Sequence, residues 1–451
     1  MITVQAHGCF DLLHLGHIRH LQAARAAGDR LIVTVTPDRF VNKGPGRPAF
    51  SAAQRAEALR ALSCVDDVRI TDSPTAADAI REIKPAVFAK GPDYCEATVD
   101  QEERQALADV GGTLLITQTE KWSSTVLLQQ HGPALPPEIE QYLARIRAQY
   151  SLDEVRGYLA TARGLKVVVI GDSIVDEYQY CDTLGKAGKD PILAVQAISQ
   201  ECFVGGAEAI AEHARAVADH VSSLTGPPTA KRRFVERYPF QKLFEVYELD
   251  ERAGAEAGNA CADQLQIDGA DLVIVADYGH GFLTPRLIEG VIKQSAMLAL
   301  NVQANAGNHG FNTIAKYERA HFISLSEREL RVDARDQRTP IDTLMRNAAA
   351  ERHTWFTIPI ILITRGAKGC LLYKSGSGWS QAPALTHETV DRTGAGDAVF
   401  GVCACCAAVG MPLDLLTFIA AVVGTMAVGI VGNASYIERD ALWKAIETWM
   451  R

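Results

Sequence analysis

The sequence lacks a concentrated block of lysine or arginine, and its 451 residues carry a formal net charge of -9 at pH 7. Chains that bind nucleic acid usually present a basic stripe or patch, so this balance argues against nucleic acid as the main ligand. An acidic total can still contain a local basic pocket. We therefore expect small-molecule ligands and no nucleic-acid partner.

The sequence also lacks an apolar run that predicts membrane insertion. The longest uncharged apolar stretch, residues 415–431, contains Gly424, Thr425 and Gly429 and falls short of the roughly 20 apolar residues that a spanning helix needs. It predicts a buried core helix, and a membrane anchor is the alternative. No positively charged, apolar leader precedes the first predicted strand, so the cytoplasm is the expected location.

The ten cysteines are scattered and do not form a disulfide framework in the sequence. Cys403 and Cys406 make a C-x-x-C, with Cys405 between them. Because all three fall in the apolar helix expected after Asp397, they predict a packing surface of small side chains rather than a metal or redox site.

Short apolar runs alternate with helical patterns from the start of the chain, first at residues 2–6, 15–27 and 30–35. This alternation is typical of a parallel sheet with helices on both faces. A second α/β pattern begins with Lys166-Val167-Val168-Val169-Ile170. The length and the 47% hydrophobic content suit two such domains.

A proline-rich break separates the two patterns, and Ser151-Leu152-Asp153-Glu154 resembles a capping box that opens a helix. We therefore predict the α/β fold class, with two doubly wound domains over residues 1–130 and 165–451. A helical linker over residues 131–164 is expected to join them.

The first motif is Gly8-Cys9-Phe10-Asp11-Leu12-Leu13-His14-Leu15-Gly16-His17. His14 and His17 stand at a predicted strand-to-helix junction, where free backbone amides and the helix dipole favour a bound anion. Two imidazoles there can donate to an α-phosphate as its charge spreads during an in-line displacement. An isolated His-x-x-His, with His20 continuing the spacing, would more readily indicate a zinc cluster or a polar helix face.

The Gly-x-Phe-Asp lead-in and the position after the first strand favour the phosphate interpretation, and this region resembles the nucleotidylyltransferases marked by His-x-Gly-His. The resemblance implies a Rossmann-like, cytidylyltransferase-like domain over residues 1–130. Physically, lysine and arginine can neutralise nucleotide and sugar phosphates, and hydroxyls at a helix start can donate to them. The implied catalytic residues are His14, His17, Lys43 and Lys90, and the implied nucleotide-binding residues are Gly8, Phe10, Asp11, Arg55, Ser123, Ser124 and Thr125.

The second motif is Asp391-Arg392-Thr393-Gly394-Ala395-Gly396-Asp397. Its small residues let the backbone approach a transferring phosphate, and Asp397 follows as a candidate base for a hydroxyl proton. A helix cap is the plainer interpretation of such a turn taken alone.

With the apolar helix that follows, this motif resembles the ribokinase-like, PfkB-type sugar kinases, and the resemblance spans roughly residues 160–451. It implies a base at Asp397 and a metal-organising carboxylate at Glu327. The implied nucleotide-binding residues are Thr364, Gly366, Gly369, Gly394, Ala395 and Gly396, and the implied sugar-binding residues are Asp172, Asp176, Gly205, Gly206 and Asp277.

Both halves depart from the patterns they resemble. Ala53 and Trp122 differ from the first pattern, which leaves the nucleobase of the nucleotide and the sugar substrate open. In the second, Ala209 stands where a sugar-binding Asn is usual, Asn301-Val302-Gln303 replaces an Asp-Pro strand end, and Ser324 replaces the Asn of Asn-x-x-Glu. Asn301, Gln303, Asn305 and Asn308 could form a new sugar pocket or simply a turn.

Together the halves resemble the bifunctional heptose-7-phosphate kinases/heptose-1-phosphate adenylyltransferases, with the domain order exchanged. This resemblance implies ATP-dependent phosphorylation of a sugar or sugar phosphate, followed by nucleotidyl transfer to the sugar 1-phosphate with release of pyrophosphate. It also implies Mg²⁺, ATP for the kinase, ATP or CTP for the nucleotidylyltransferase, and a homo-oligomer. The alternatives are a nucleotidylyltransferase whose kinase fold is a silent scaffold, and a non-enzymatic sugar-nucleotide sensor.

Overall fold

The computed structural model describes residues 2–41, 48–92, 94, 99–118, 135–238, 240–352, 360–374, 376–386 and 388–451, without the side chains of residues 349–352. The chain divides into two compact units, Met1–Pro136 and Pro137–Arg451. Four predicted site residues, Lys43, Ser123, Ser124 and Thr125, lie outside the described residues.

The first unit contains a five-stranded parallel sheet in the order β3-β2-β1-β4-β5. Its strands are β1 Thr3–Gly8, β2 Arg30–Val35, β3 Asp67–Ile70, β4 Val87–Lys90 and β5 Thr113–Ile116. Its helices are α1 Leu15–Arg25, α2 Ala52–Arg60, α3 Ala77–Ile83 and α4 Gln101–Asp109, and Asp38–Phe40 forms a short 3₁₀ turn. The strand order reverses beside β1, and ligands of such sheets bind at the carboxyl ends of the strands at this reversal.

The second unit contains an eight-stranded sheet in the order β17-β16-β15-β14-β13-β12-β6-β9. It is parallel from β15 to β9, and β16 and β17 add antiparallel strands at one edge. Its strands are β6 Lys166–Gly171, β9 His220–Thr225, β12 Leu272–Asp277, β13 Leu298–Val302, β14 Phe322–Ser326, β15 Ile360–Thr364, β16 Cys370–Lys374 and β17 Gly378–Ala382.

A separate four-stranded sheet belongs to the same unit and has the order β11-β10-β7-β8. Its β7 pairs antiparallel with β8 and parallel with β10, and β11 pairs antiparallel with β10. Its strands are β7 Ser173–Lys186, β8 Leu193–Gly205, β10 Thr229–Glu236 and β11 Gln241–Glu248.

Helices cover both faces of the eight-stranded sheet, because two apolar clusters lie on opposite sides of its strands. One face carries α5 Pro137–Gln149, α6 Leu152–Arg163, α7 Gly206–Ala214, α12 Ala395–Ala408, α13 Leu413–Ala427 and α14 Arg439–Met450. The other carries α8 Glu251–Asp263, α9 Pro285–Gln294, α10 Glu327–Asp333 and α11 Ile341–Arg352, and 3₁₀ turns lie at Ile314–Lys316 and Gly366–Lys368. Two doubly wound α/β units are therefore confirmed.

The boundary between the units differs from the predicted linker over residues 131–164. The chain divides after Pro136, and α5 and α6 belong to the second unit. Ile139 and Ile146 of α5 and Val155 of α6 are buried in one of its apolar clusters, so these helices are part of the core. The capping box at Ser151 and Glu154 opens α6 as predicted.

The uncharged stretch near the C-terminus forms α13, whose residues are mostly buried in the second unit. Within the described residues, no helix combines the length and the apolar character needed to cross a bilayer. Cys403, Cys405 and Cys406 are fully buried in α12 in the same cluster, as the packing interpretation predicts.

Candidate active sites

The first candidate site lies where β1 ends and α1 begins. His14 caps α1, and its Nδ1 accepts a bond of 3.4 Å from the backbone N–H of His17. The two imidazole rings stack with their centroids 3.8 Å apart. The structure thus brings the two predicted histidines together at a helix N-terminus, where an anion is favoured.

The loop before these histidines has an unusual backbone. Phe10 has φ 49° and Leu12 has φ 54°, in the left-handed region that side chains seldom adopt. The Phe10 ring is buried and meets the His17 ring edge-on, with centroids 5.4 Å apart. Gly8 lies close to the same ring, since a Cβ there would approach it to 3.3 Å. Phe10 therefore orients His17 by packing.

Arg55 holds this loop, which corrects its predicted contact with phosphate. Its side chain is 1% exposed. It donates to the backbone carbonyl oxygens of Cys9, Thr36 and Phe50, and to the Asp38 carboxylate at 2.7 Å. A guanidinium engaged in this way ties three chain segments together instead of facing a ligand.

Asp11 has a similar holding role in place of the predicted nucleotide contact. It is fully buried, and its carboxylate accepts from the backbone N–H groups of Ala49 at 3.0 Å and Phe50 at 3.2 Å. These bonds fix the segment before α2 against the histidine loop.

Lys90 is also engaged inside the unit, at the end of β4. Its Nζ lies 2.7 Å from Oε2 of Glu103, and the two side chains are 5% and 4% exposed. The rings of Phe88 and Tyr94 lie 5.1 and 4.9 Å from the same Nζ. The predicted catalytic lysine is therefore half of a buried ion pair, and nothing in the sequence pattern pointed to Glu103 as its partner.

Two further histidines of this unit are held neutral. Burial, and then the charge of Lys90, lower the pKa of His7 to about 3 and that of His20 to about 4. His20 Nδ1 shares a hydrogen bond of 2.8 Å with Thr117 Oγ1. No group of three metal-ligating side chains occurs among the described residues, and His20 is occupied in the core. The zinc alternative thus gains no support here.

The second candidate site is built around Asp397, in the first turn of α12. Gly394 caps this helix with φ 78°, and a Cβ there would come within 2.1 Å of Asn433 Oδ1, so the turn requires glycine. Asp397 is 8% exposed. Its Oδ1 accepts from the Tyr278 hydroxyl at 2.8 Å and from Gln303 Nε2 at 3.3 Å.

The environment of Asp397 suits a general base. Its pKa is raised to about 7, mainly by burial. The Tyr278 hydrogen bond and the charge of Lys231 lower the pKa, and the charges of Asp176 and Glu329 contribute to the rise. A carboxyl with this pKa can take up and release a proton near neutral pH.

Strand β10 contributes cationic residues that the sequence analysis missed. Lys231 is 5% exposed, and its Nζ lies 5.2 and 5.4 Å from the rings of Tyr247 and Tyr278. Burial lowers the pKa of Lys231, although Asp176 counteracts part of the shift. Arg233 pairs with Asp176 and, at 3.2 Å, with Glu245. No sequence signal distinguishes them from surface charges, because the burial of Lys231 in β10 is visible only in the folded unit.

His280 lies near Asp397 and had no predicted role. It is 3% exposed, and neither ring nitrogen has a hydrogen-bond partner among the described residues. Burial, and then the charge of Lys231, lower its pKa to about 3. The ring is 6.1 Å from that of Tyr278, so a neutral imidazole lies close to the partner of the candidate base.

Asp172 and Asp277 do not have the roles predicted for them. The buried Asp172 carboxylate accepts from the backbone N–H groups of Tyr278 at 2.8 Å and of His280 and Phe282 at 3.3 Å. Burial and then Asp277 raise its pKa to about 6, and these bonds limit the rise. Asp172 therefore shapes the turn after β12 and does not face a sugar.

Asp277 is fully buried in a network of its own. It pairs with Lys316 at 2.5 Å and accepts from the Tyr317 hydroxyl at 2.5 Å and from Asn312 Nδ2 at 3.0 Å. These partners occupy the carboxylate that was predicted to bind sugar.

The side chains of the asparagine-rich loop stabilise neighbouring backbone by donating to its carbonyl oxygens. Asn305 Nδ2 and Asn308 Nδ2 donate to the Tyr278 carbonyl oxygen at 2.7 and 3.0 Å, and Asn301 Nδ2 donates to that of Ser324 at 2.8 Å. Of the four residues considered for a sugar pocket, only Gln303 donates to Asp397 among the described contacts.

Gly205 and Gly206 join β8 to α7 beside the aspartates. A Cβ at Gly205 would meet Asp176 Oδ2 at 2.9 Å. Gly206 has φ 66°, and a Cβ there would meet the Asp172 carbonyl oxygen at 2.4 Å. Both glycines allow the backbone to approach the aspartates closely, and their predicted contact with a sugar stays a prediction.

A cavity of about 270 Å³ adjoins the second motif. Gly369 shapes its wall, because it has φ 78° and a Cβ there would lie 2.0 Å from the Ala382 carbonyl oxygen. Five predicted nucleotide-binding residues line the cavity: Thr364, Gly366, Gly369, Ala395 and Gly396. Its other walls include Val399, Ala420 and Ala421, so it offers an apolar surface next to the glycine turn.

Glu327 does not fit a protein-built metal site. Its carboxylate pairs with Arg331 at 2.8 Å and with Arg365 at 3.0 Å. Burial raises the pKa of Glu327, but the bonds from the two arginines outweigh burial and the net pKa lies below its usual range. No group of three metal-ligating side chains occurs near Glu327 or elsewhere in the described part of the chain.

Comparison with protein families assigns one domain to each unit. Residues 6–126 match the cytidylyltransferase-like family, and residues 250–438 match the pfkB family of carbohydrate kinases. The first unit thus contains a cytidylyltransferase-like domain and the second a pfkB-type domain.

Curated relatives match the N-terminal region. The chain is similar to the bifunctional protein HldE of Streptomyces coelicolor, with 46% identity over 129 residues that cover 28% of this chain and 27% of the relative. It is also similar to HldE of Methylobacillus flagellatus, with 49% identity over 98 residues that cover 21% and 20%. These matches span about a quarter of each relative's length.

A crystal structure of a candidate ribokinase from Agrobacterium tumefaciens matches the chain with a TM-score of 0.50 and 16% identity. The match covers 63% of this chain and 98% of the other. It shows a ribokinase-like fold for the larger part of the chain.

Proposed function

Because the chain joins a cytidylyltransferase-like domain to a pfkB-type domain, we propose that it catalyses two steps in the synthesis of a nucleotide-activated, heptose-like sugar. The second unit phosphorylates a sugar or sugar phosphate with ATP. When the acceptor is a sugar phosphate, a separate phosphatase removes the distal phosphate by hydrolysis. The first unit then transfers a nucleotidyl group from ATP or CTP to the sugar 1-phosphate and releases pyrophosphate.

The observation that carries the kinase step is the position of Asp397. This base lies one residue after Gly396, which lines the cavity next to the glycine turn. In the proposed step Asp397 takes the proton of the acceptor hydroxyl, whose oxygen bonds to the γ-phosphorus of ATP. The bond from that phosphorus to the β-γ bridging oxygen breaks, and ADP leaves. The amides of Gly394 to Gly396 stabilise the charge on the transferring group.

The charges around Asp397 support a phosphorylated sugar over a neutral one. Arg233 pairs with Asp176 and with Glu245, whereas the buried Lys231 forms no ion pair in the described contacts. A substrate phosphate could form a direct ion pair with Lys231. Heptose 7-phosphate has this chemistry.

The stacked pair His14 and His17 supports the nucleotidyl step. An oxygen of the sugar 1-phosphate attacks the α-phosphorus, and the bond to the β-phosphate oxygen breaks, so pyrophosphate leaves. The imidazoles donate to the α-phosphate oxygens, where negative charge increases in the transition state. Mg²⁺ bound to the triphosphate supplies charge neutralisation in both steps.

A second candidate function is a nucleotidylyltransferase with a silent kinase fold. The pairing of Glu327 with two arginines favours it, because that carboxylate was expected to organise Mg²⁺. Phosphorylation assays on the full chain, with each nucleotide combined with each candidate sugar or sugar phosphate, separate the two functions. Phosphorylated sugar that disappears with Asp397→Asn supports the bifunctional enzyme, and its absence for every substrate supports the scaffold.

We also propose that the protein is a cytoplasmic homo-oligomer. The four-stranded sheet and the connection between β7 and β8 expose several large apolar side chains, which a second copy could cover: Leu184, Ile192, Leu193, Ile198 and Phe244. Light scattering of the full chain should give a mass of at least two chains, and Ile198→Asp should reduce it. A monomeric wild-type protein would refute this assignment.

A further inference from the structure

The loop that leads into the glycine turn is tied to the four-stranded sheet. Asp391, 4% exposed, begins this loop. Its Oδ1 accepts from Lys242 Nζ at 2.6 Å, and its Oδ2 accepts from the Tyr178 hydroxyl at 2.7 Å. Lys242 belongs to β11 and Tyr178 to β7, so both donors come from the sheet.

Lys242 also reaches beyond Asp391. Its Nζ donates to Thr393 Oγ1, the side chain directly before Gly394. The same ammonium lies 5.0 Å from the centre of the Tyr178 ring. A single cation on β11 thus contacts two side chains of the loop.

The rest of the loop is held by neutral contacts. Asp391 accepts from the backbone N–H groups of Thr393 at 3.0 Å and Gly432 at 2.9 Å. Gly394 packs against Asn433. Among these described contacts, Lys242 is the one that brings a charge, and a bond to a charged group is stronger than a neutral one.

We propose that Lys242 is a positioning residue for phosphoryl transfer: by holding Asp391 and Thr393, it sets the orientation of the Gly394–Gly396 amides and of Asp397. This inference rests on the proposed kinase step. Lys242 acts through the loop and does not take part in the bond changes. The sheet that carries it also carries Lys231 and Arg233, so the same sheet positions both the loop and the cations beside the base.

The test compares Lys242→Met, which removes the charge at similar length, with Lys242→Arg, which retains it. Arg232→Met is the matched control, because Arg232 pairs with Glu177 at 2.7 Å and Glu248 at 3.3 Å inside the same sheet. Lys242→Met should lower kcat of phosphoryl transfer by roughly 10- to 100-fold and leave KM for ATP within about threefold, as for a displaced transition-state contact. Lys242→Arg should recover most of kcat, and Arg232→Met should match wild type.

Nucleotidyl transfer by the first unit serves as the internal control for each variant and should not change. Two outcomes in a protein whose wild type phosphorylates sugar would refute the positioning role while the proposed function stands. In the first, Lys242→Met keeps the wild-type kcat. In the second, Lys242→Met has a lower kcat and a higher KM for ATP, and Lys242→Arg restores neither.

Amide hydrogen exchange tests the inference without catalysis. Lys242→Met should accelerate exchange in the peptide that contains residues 391–397, and Arg232→Met should not. Tyr178→Phe, which removes the other sheet donor, should give a smaller acceleration at the same place. Unchanged exchange in Lys242→Met would overturn the inference, even if wild type phosphorylates none of the sugars tested.

Discussion

Replacing Asp397 with Asn should remove the kinase activity and stabilise the second unit at alkaline pH. The folded carboxyl has a pKa of about 7, whereas an unfolded aspartate titrates near 3.9. Between these values the folded state holds a proton that the unfolded state has released. The contribution of Asp397 to stability is thus complete below the unfolded pKa and is lost as pH rises through the folded pKa.

The two pKa values give the size of the effect. They predict that the contribution of Asp397 to the free energy of unfolding is about 2 to 3 kcal/mol smaller at pH 8 than at pH 5. Asparagine has nearly the same shape and its Oδ1 can still accept from Tyr278 and Gln303, but it does not titrate. The stability advantage of Asp397→Asn over wild type should therefore grow by that amount between the two pH values.

Urea unfolding followed by tryptophan fluorescence measures this difference, because four of the five tryptophans lie in residues 137–451. Asp391→Asn is the matched control. Burial raises the Asp391 pKa, but bonds from Lys242 and Tyr178 outweigh burial and bring it to about 2. Both its folded and unfolded pKa values then lie below 5, so its effect should be destabilising and equal at pH 5 and pH 8. An Asp397→Asn advantage that does not grow with pH would refute the assignment of a raised pKa.

Three further predictions concern single contacts. Tyr278→Phe removes a hydrogen bond that lowers the Asp397 pKa. The acid limb of the pH profile of kcat/KM for phosphoryl transfer should therefore move up by roughly one pH unit. An acid limb that stays in place or moves down would contradict an effect of this hydrogen bond on the base. His17→Ala should reduce nucleotidyl turnover about 10²- to 10³-fold with little change in KM for the nucleotide, measured by pyrophosphate release; an equal loss of affinity would indicate a binding role, as in a sensor. Lys90→Met leaves the buried Glu103 carboxylate unpaired and should destabilise the first unit by about 3 to 5 kcal/mol, measured by urea unfolding with circular dichroism. The double variant Lys90→Met/Glu103→Leu should recover most of this loss. A stable Lys90→Met protein with impaired nucleotide binding would support the phosphate role instead.

Local patterns predicted much of the fold. Alternating apolar and helical runs predicted both α/β units, and Ser151 with Glu154 predicted the start of α6, because these signals come from neighbours in sequence. The linker prediction was inaccurate since amphipathic helices at a domain boundary look alike whether they connect units or pack on one. Only the burial of Ile139, Ile146 and Val155 assigns them to the second unit.

The candidate sites were predictable where the motif itself supplies the geometry. His14, His17 and Asp397 lie at helix starts, and Gly366, Gly369 and Gly396, which line the cavity, belong to motifs that the resemblance to sugar kinases singled out. Charged residues were less predictable, because a sequence does not show which charges meet. Lys90 pairs with Glu103, thirteen positions away on another element, and Asp277 pairs with Lys316. Lys231 sits in a strand whose buried face became clear only from the fold.

The most direct test of two coupled activities follows a heptose phosphate through the full chain by mass spectrometry, with ATP and CTP as nucleotides. A separate phosphatase is added to remove any distal phosphate. Under these conditions the account predicts that wild type converts the sugar phosphate into a nucleotide sugar. Asp397→Asn should make this product only when sugar 1-phosphate is supplied, and His17→Ala should stop at the phosphorylated sugar. A wild-type protein that forms nucleotide sugar from added sugar 1-phosphate but phosphorylates none of the sugars or sugar phosphates would contradict the account.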